Sequence, residues 1–380
     1  MEWNCRQRGV VKEKMYAFNV IGFIVACLFA LLLTPLVKKF AFWVGAVDAP
    51  NHRKVHTRIM PRLGGLAIFI AFVGAYCVIS PVIGAFHTEA TIPMLLGGFV
   101  IVLTGALDDR FELSPKMKLL GQLIAAIMVV VSGLQIDVVK IPFTGSEWVI
   151  PNVISIPLTI IWIIGVSNAI NLIDGLDGLS AGVSGIATAT MMVLAIMMPE
   201  PTVVLFSVIL LGSIVGFLFY NFHPAKIFMG DSGALFLGYA LATLSIMGFK
   251  QAAVLSLLTP ILILGVPLSD TFFAIVRRYV NKKPISVADK NHLHHCLLQL
   301  GFSHRTTVLI IYGIALFFGG CAILFNQVGQ WWAVAGVVVL SVILIVGAEA
   351  IGIISKSRKP VLGLLQKMRM KDSLNSRLPK

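Results

Sequence analysis

Acids are scarce in this 380-residue chain, 17 against 30 Lys and Arg, and they are gathered into a few groups. Asp108-Asp109 closes a long apolar run and is followed by Arg110, Lys116 and Lys118. Two adjacent carboxylates at the edge of an apolar segment are costly to hold unless a cation or a proton-transfer task retains them; a solvated helix end is the plain alternative. A second group, Asn168-Ala-Ile-Asn171-Leu-Ile-Asp174-Gly175-Leu-Asp177-Gly178, lies between two further apolar runs. Its oxygen donors and glycines suit a hard cation such as magnesium, or hydrogen bonding to a nucleotide, or a simple turn. The twelve-residue calcium-loop pattern is missing from it. In the third, Met229-Gly230-Asp231-Ser232-Gly233, the acid either ligates a metal beside amides that face a phosphate or caps the helix that follows.

Cations stand beside these acids. Between Asp48 and Gly65 come Arg53, Lys54, His56 and Arg62, which could grip phosphate, while Gly64 and Gly65 permit close backbone approach. The longest polar stretch, Arg277 to Thr306, holds Arg277-Arg278, Lys282-Lys283-Pro284 and His292-Leu293-His294-His295. Three histidines in four residues could bind zinc, hydrogen bond to a pyrophosphate or shuttle protons, but no cysteine or carboxylate at zinc spacing accompanies them. Hard oxygen ligands together with Arg, Lys and His describe metal-assisted phosphoryl transfer on a polyanion, and an acceptor met at a membrane edge must be amphiphilic.

The elements that carry these groups are apolar. With 58% hydrophobic and 12% charged residues, the chain is far from the composition of a soluble domain. Runs long enough to cross the hydrocarbon predict an all-α polytopic membrane protein of about eleven transmembrane helices, near residues 16–37, 63–86, 92–107, 119–134, 153–170, 179–198, 202–220, 233–249, 252–275, 307–325 and 331–354. If the carboxyl end is cytoplasmic, the polar groups above share the cytoplasmic face, leaving only Arg6, Arg8, Lys12, Lys14, Lys140 and Lys250 opposite; positive-inside favours that orientation. The four amino-terminal cations oppose it, and translation from Met15 would remove them. We expect an amino-terminal extension over 1–15, one membrane domain over 16–354 and a basic cytoplasmic tail over 355–380 attracted to anionic lipid, not a nucleic-acid arm. The five cysteines show no metal or disulfide spacing.

Taken in order, Asp48 to Gly65, Asp108-Asp109 with Lys116, Asn171-x-x-Asp174-Gly-x-Asp177-Gly, Met229-Gly-Asp231-Ser-Gly and His292-x-His294-His295 resemble the polyprenyl-phosphate N-acetylhexosamine-1-phosphate transferases. The resemblance implies transfer of a sugar-1-phosphate from a UDP-sugar to undecaprenyl phosphate with release of UMP, dependent on magnesium, with manganese as a substitute. It implies Asn171 and Asp231 at the metal; because a like-charge pair at a membrane edge raises one pKa, Asp108 is the candidate base with Asp109 its neighbour, and Lys116 could then hold the acceptor phosphate. Lys54, Asp174 and Asp177 fall to substrate binding, and Arg277, Arg278, His292, His294 and His295 to the donor phosphates. Within the family, Asp108-Asp109-Arg110-Phe-Glu-Leu-Ser-Pro-Lys116 looks like the branch that uses UDP-N-acetylglucosamine to start teichoic acid or another envelope polymer. The phospho-N-acetylmuramoyl-pentapeptide branch usually has three consecutive histidines, where Leu293 intervenes here. A homodimer is compatible with the sequence. A secondary transporter would instead place ionisable residues at mid-membrane and repeat itself inverted, whereas only Glu349 lies well inside a run.

Overall fold

The computed structural model describes residues 2–49, 59–83, 91–140, 147–249, 258–282, 291–328 and 330–351. Helices dominate them: α1 (Glu2–Val44), α2 (Gly64–Ile83), α3 (Thr91–Phe111), α4 (Pro115–Val131), α5 (Asn152–Leu172), α6 (Leu179–Met197) and α7 (Pro201–Asn221). There follow α8 (Gly230–Phe249), α9 (Leu258–Ile263), α10 (Gly265–Val280), α11 (Leu293–Gln299), α12 (His304–Gln327) and α13 (Gln330–Ile351). The expected extension over 1–15 is continuous with α1 from Glu2 onward, and the expected tail over 355–380 lies outside the described residues.

Among the described residues seven helical stretches are long and apolar enough to cross a membrane: Ala17–Val44, Gly64–Pro81, Thr91–Phe111, Asn152–Leu172, Leu179–Met197, Pro201–Asn221 and His304–Gln327. A shorter apolar stretch, Trp331–Gly347, lies in α13. The expected runs over 119–134 and 233–249 are helical as α4 and α8, but α4 has 17 residues and α8 opens on the polar Gly-Asp-Ser-Gly. The run over 252–275 is not one helix in its described part. It breaks at Leu264 between α9 and α10, because Pro267 has no N–H to offer the preceding turn. The all-α expectation also misses two short antiparallel ladders. β1 (Val47–Asp48) pairs with β2 (Met60–Pro61), and β3 (Val138–Lys140) with β4 (Glu147–Val149), so that Val138 faces Val149.

At the centre stands α8. Its residues from Ala234 to Leu244 are all but sealed from the surface, since a helix apolar on every side packs on every side; α2, α3, α5 and α6 surround it. Outward, α1, α3, α5 and α13 expose large apolar side chains such as Leu32, Leu103, Ile161 and Trp332, the inverse of a soluble surface and the face a bilayer would cover. Several buried hydroxyls are satisfied within their own helices: Thr34, Ser167, Ser213 and Thr243 each donate to the carbonyl four residues earlier.

Candidate active site

The acids meet where α3 ends and α8 begins. Asp109, in the last turn of α3, is sealed off, its side chain 0% exposed. Its Oδ1 accepts the Asp231 N–H at 2.9 Å and its Oδ2 the Ser232 N–H at 3.1 Å, so a carboxylate from one helix caps the amino terminus of another. Glycine makes room for this junction. A Cβ on Gly65, at the start of α2, would lie 1.9 Å from the Gly233 nitrogen, and one on Gly105 would lie 2.4 Å from the Ser232 Cα. The close approach expected of Gly64 and Gly65 therefore serves the chain's own backbone, with their N–H groups donating to Phe228 and Met229 carbonyls at 3.0 and 2.9 Å.

Lys118, one turn into α4, donates to Asp108 Oδ2 at 3.0 Å and to Asp231 Oδ2 at 2.5 Å. Arg62 lies 3.8 Å from Asp109 and 4.0 Å from Asp48. Burial works against an ionised Asp231, yet Lys118 and hydrogen bonds that include one from Asn171 hold its carboxyl below the usual range. Asp174 goes the other way, pushed up by desolvation and then by repulsion from Asp231 and Asp109. Asp231, Asn171 and Asp174 thus offer hard oxygen donors in a place overfull of negative charge, a set that fits magnesium or manganese. Nearby, Gln122 and Asn168 exchange amide hydrogen bonds of 3.3 and 2.8 Å and brace α4 against α5.

Asp177 faces away from this cluster. Its Oδ2 is 3.0 Å from His223 Nδ1 and accepts the Ala225 N–H at 3.1 Å, while its own N–H donates to His304 Nε2 at 3.0 Å. Asp177, His223 and His304 lie within the reach of a metal ion, 4.8 Å. The two rings, however, stack 4.3 Å apart at 24°, so their in-plane lone pairs run side by side instead of converging. We read the trio as a cross-link between loops. Gly178, with φ +75°, is held at both ends of its peptide units: its N–H by Asn221 at 3.1 Å and its carbonyl by the Tyr312 hydroxyl at 2.5 Å. The loop of residues 171–178 is a clamped frame with Asn171 and Asp174 on its open side.

The histidine segment reaches this frame through His294. Only 2% exposed, it packs on Gly175 so closely that a Cβ there would lie 2.3 Å from its Nε2, an atom without a hydrogen-bond partner among the described residues. Burial, then the neighbouring His295, lowers its pKa to about 3. His292 stacks parallel to His294 at 6.0 Å, and the His295 ring lies 4.1 Å from it. Arg277 is buried, and the buried Nε of Arg278 has no hydrogen-bond partner among the described residues.

The structure brings together Asp108, Asp109, Asn171, Asp174 and Asp231, with the histidine segment packed against their loop. Lys116 is exposed in the first turn of α4, and Lys54 lies outside the described residues. Sequence reasoning gave Lys118 no role and offered Arg62 only as one of several cations that could grip phosphate. The signal that could have found Lys118 is its spacing, on the helical face four residues before buried Gln122.

The chain is similar to several known proteins. The family model described as glycosyl transferase family 4 matches residues 91–249, the stretch from the start of α3 to the end of α8. A probable undecaprenyl-phosphate N-acetylglucosaminyl 1-phosphate transferase of Bacillus subtilis is 45% identical over 343 residues, 90% of this chain and 94% of that protein. A decaprenyl-phosphate N-acetylglucosaminephosphotransferase of Mycobacterium tuberculosis is 36% identical over 332 residues, 80% of this chain and 82% of its own. A phospho-N-acetylmuramoyl-pentapeptide-transferase of Halalkalibacterium halodurans is 30% identical over 324 residues, 80% of this chain and 95% of its own.

Proposed function

This chain belongs to glycosyl transferase family 4, and we propose that it transfers N-acetylglucosamine-1-phosphate from UDP-N-acetylglucosamine to undecaprenyl phosphate, releasing UMP. The observation that carries the reading is the meeting of Asp108, Asp109 and Asp231 with Lys118 and Arg62, from segments far apart in sequence, at one end of an apolar helix bundle. The 45% identity to an N-acetylglucosaminyl 1-phosphate transferase over 90% of the chain supports the choice of sugar. Leu293 within the histidine run supports the same choice. The product would begin teichoic acid or another envelope polymer. The eleven apolar runs would cross a bacterial plasma membrane, that over 252–275 as the broken pair α9 and α10, with the site on the cytoplasmic face, as the distribution of Lys and Arg favours.

In this reaction an oxygen of the lipid phosphate bonds to the sugar-linked phosphorus of the donor. The bond from that phosphorus to the bridging oxygen breaks, and UMP leaves with the bridging oxygen. Asp108 takes a proton from the acceptor phosphate, and Lys118, 3.0 Å from it, holds that phosphate in line in place of the exposed Lys116. Asp109 and Arg62 fix the start of α8 that presents Asp231. Asp174, on the same loop as Asn171, takes part in binding the donor. Asp231 and Asn171 would hold magnesium, or manganese in its place, which when bound neutralises charge on the donor pyrophosphate. Arg277, Arg278 and the histidines grip the donor phosphates.

The test is UMP release by the purified protein in lipid nanodiscs with undecaprenyl phosphate, magnesium and a panel of UDP-sugars. Release with UDP-N-acetylglucosamine is expected. Release only with UDP-N-acetylmuramoyl-pentapeptide would move the chain to the peptidoglycan branch.

A further inference from the structure

The histidine segment depends on its neighbours for its place. α11 has seven residues, fewer than an isolated helix needs in water; Leu297 and Leu298 tie it to the main core, and Phe273, Cys296 and Leu293 form a small cluster beside it. What fixes its beginning is an acid of α10 to which neither the motifs nor the proposed reaction gives a part. Asp270 is 3% exposed and His292 5% exposed. Asp270 Oδ2 lies 2.8 Å from His292 Nδ1, and its Oδ1 accepts the Leu293 N–H at 2.9 Å. One buried carboxylate therefore holds both the imidazole of His292 and the first N–H of α11.

We propose that Asp270 is a positioning residue for the transfer, orienting His292 and seating the histidine segment against the loop of residues 171–178. The inference rests on the histidine segment binding the donor, as proposed above. With one Asp270 oxygen accepting the Leu293 N–H and the other facing Nδ1 of His292, Nδ1 carries its proton towards Asp270 and Nε2 is the nitrogen left for a ligand. The parallel ring of His294 lies 6.0 Å from that of His292, and His294 in turn packs on Gly175. Asp270 thus sets by contact the position of a segment that begins 22 residues later in sequence. Carboxylates that hold a functional imidazole in one tautomer act in the same way in metal centres and hydrolases.

Asp270→Asn separates orientation from folding. The amide oxygen can still cap Leu293, but the amide nitrogen then meets His292 Nδ1 as a donor and drives the imidazole to the opposite tautomer. We expect about a tenfold loss of kcat/KM for the UDP-sugar, carried mainly by KM, with recovery in Asp270→Glu. In a His292→Ala background, Asp270→Asn should cost less than twofold, because a residue that acts through another has nothing left to act on. The imidazole ¹⁵N signals of His292 in labelled protein should report the tautomer change, and thermal unfolding should show that Asp270→Asn stays folded. A tenfold loss that persists in the His292→Ala background overturns the proposal and leaves the histidine reading intact. Wild-type donor use by His292→Ala itself overturns both.

Discussion

Asp108 turns its carboxylate to the Lys118 ammonium at 3.0 Å, while Asp109, one residue on, gives both oxygens to the backbone that opens α8. Successive residues of a helix point about 100° apart, so a paired-acid motif at a helix end readily serves two masters. The pair divides into one group beside the Lys118 cation and one built into the frame. Asp109→Ala would leave two buried N–H groups without an acceptor and should cost on the order of 2 kcal/mol of stability as well as activity. Asp108→Asn should lose roughly a hundredfold in kcat with an unchanged melting temperature. Thermal unfolding in detergent beside UMP release measures both, and the reverse pattern would exchange the two roles.

Lys118 and Lys116 lie two residues apart on α4, and only Lys118 reaches the acids. Lys118→Ala removes the cation between Asp108 and Asp231 and should lower the maximal rate by about a hundredfold, the scale expected where a positioning charge is lost from a phosphoryl transfer. Lys116→Ala should stay within about twofold, as an exposed side chain away from such features does. Equal losses in the two variants would return Lys116 to the site.

Helix contact at the α2–α8 junction depends on the missing Cβ of Gly65, which would stand 1.9 Å from the Gly233 nitrogen. Backbone cannot yield as a side chain tip does, so Gly65→Ala should push α2 and α8 apart and abolish both the melting transition and activity. Gly165→Ala is the control. Its added methyl meets nothing within 4 Å, and alanine favours a helix by about 1 kcal/mol, so its melting temperature should hold or rise.

Much of this was legible in the sequence because hydrocarbon imposes its own grammar: helical runs must be long and apolar, and any acid at their edges is conspicuous. Asp231, Asn171 and Asp174 stood out for that reason, and they do converge. What the residues could not reveal is direction. Asp177 carries the same motif as Asp174 yet faces His223 and Ala225, because the left-handed turn at Gly178 and its clamps on Asn221 and Tyr312 aim it there. The break at Leu264 was missed because Ile263 and Gly265 keep the run apolar and a proline such as Pro267 either kinks a helix or ends it.

His294 gives a pH dependence with a definite sign. Its pKa of about 3 in the folded protein lies below the ordinary value near 6.5, so between these limits the unfolded chain binds a proton that the folded chain refuses. Stability is therefore present above about pH 6.5 and is lost as pH falls, by about 2 kcal/mol at pH 5 from this group. In His294→Gln that contribution disappears, and melting temperature followed from pH 7.5 to pH 5 should fall less steeply than in the wild type. Parallel curves would mean that the imidazole protonates freely in the folded state.

Two chemical routes remain compatible with paired acids: direct attack by the lipid phosphate, or a phosphorylated aspartate formed first. The geometry argues for the direct route. Asp109 has no oxygen free, since both accept N–H groups of α8, and its side chain is fully buried. Asp108 could attack only after leaving Lys118, and the resulting acyl phosphate would add a step that the acceptor, already an oxygen nucleophile, does not require. As a base, Asp108 needs only to take a proton from the phosphate that Lys118 holds beside it. Direct transfer demands both substrates together, so labelled UMP should not exchange into UDP-N-acetylglucosamine when undecaprenyl phosphate and its glycosylated product are rigorously removed. Exchange should appear when the glycosylated lipid is restored, since the reverse reaction then has its sugar phosphate. Robust exchange in the lipid-free enzyme would demand a covalent intermediate, and Asp108 would be its site, with Asp108→Asn abolishing the exchange.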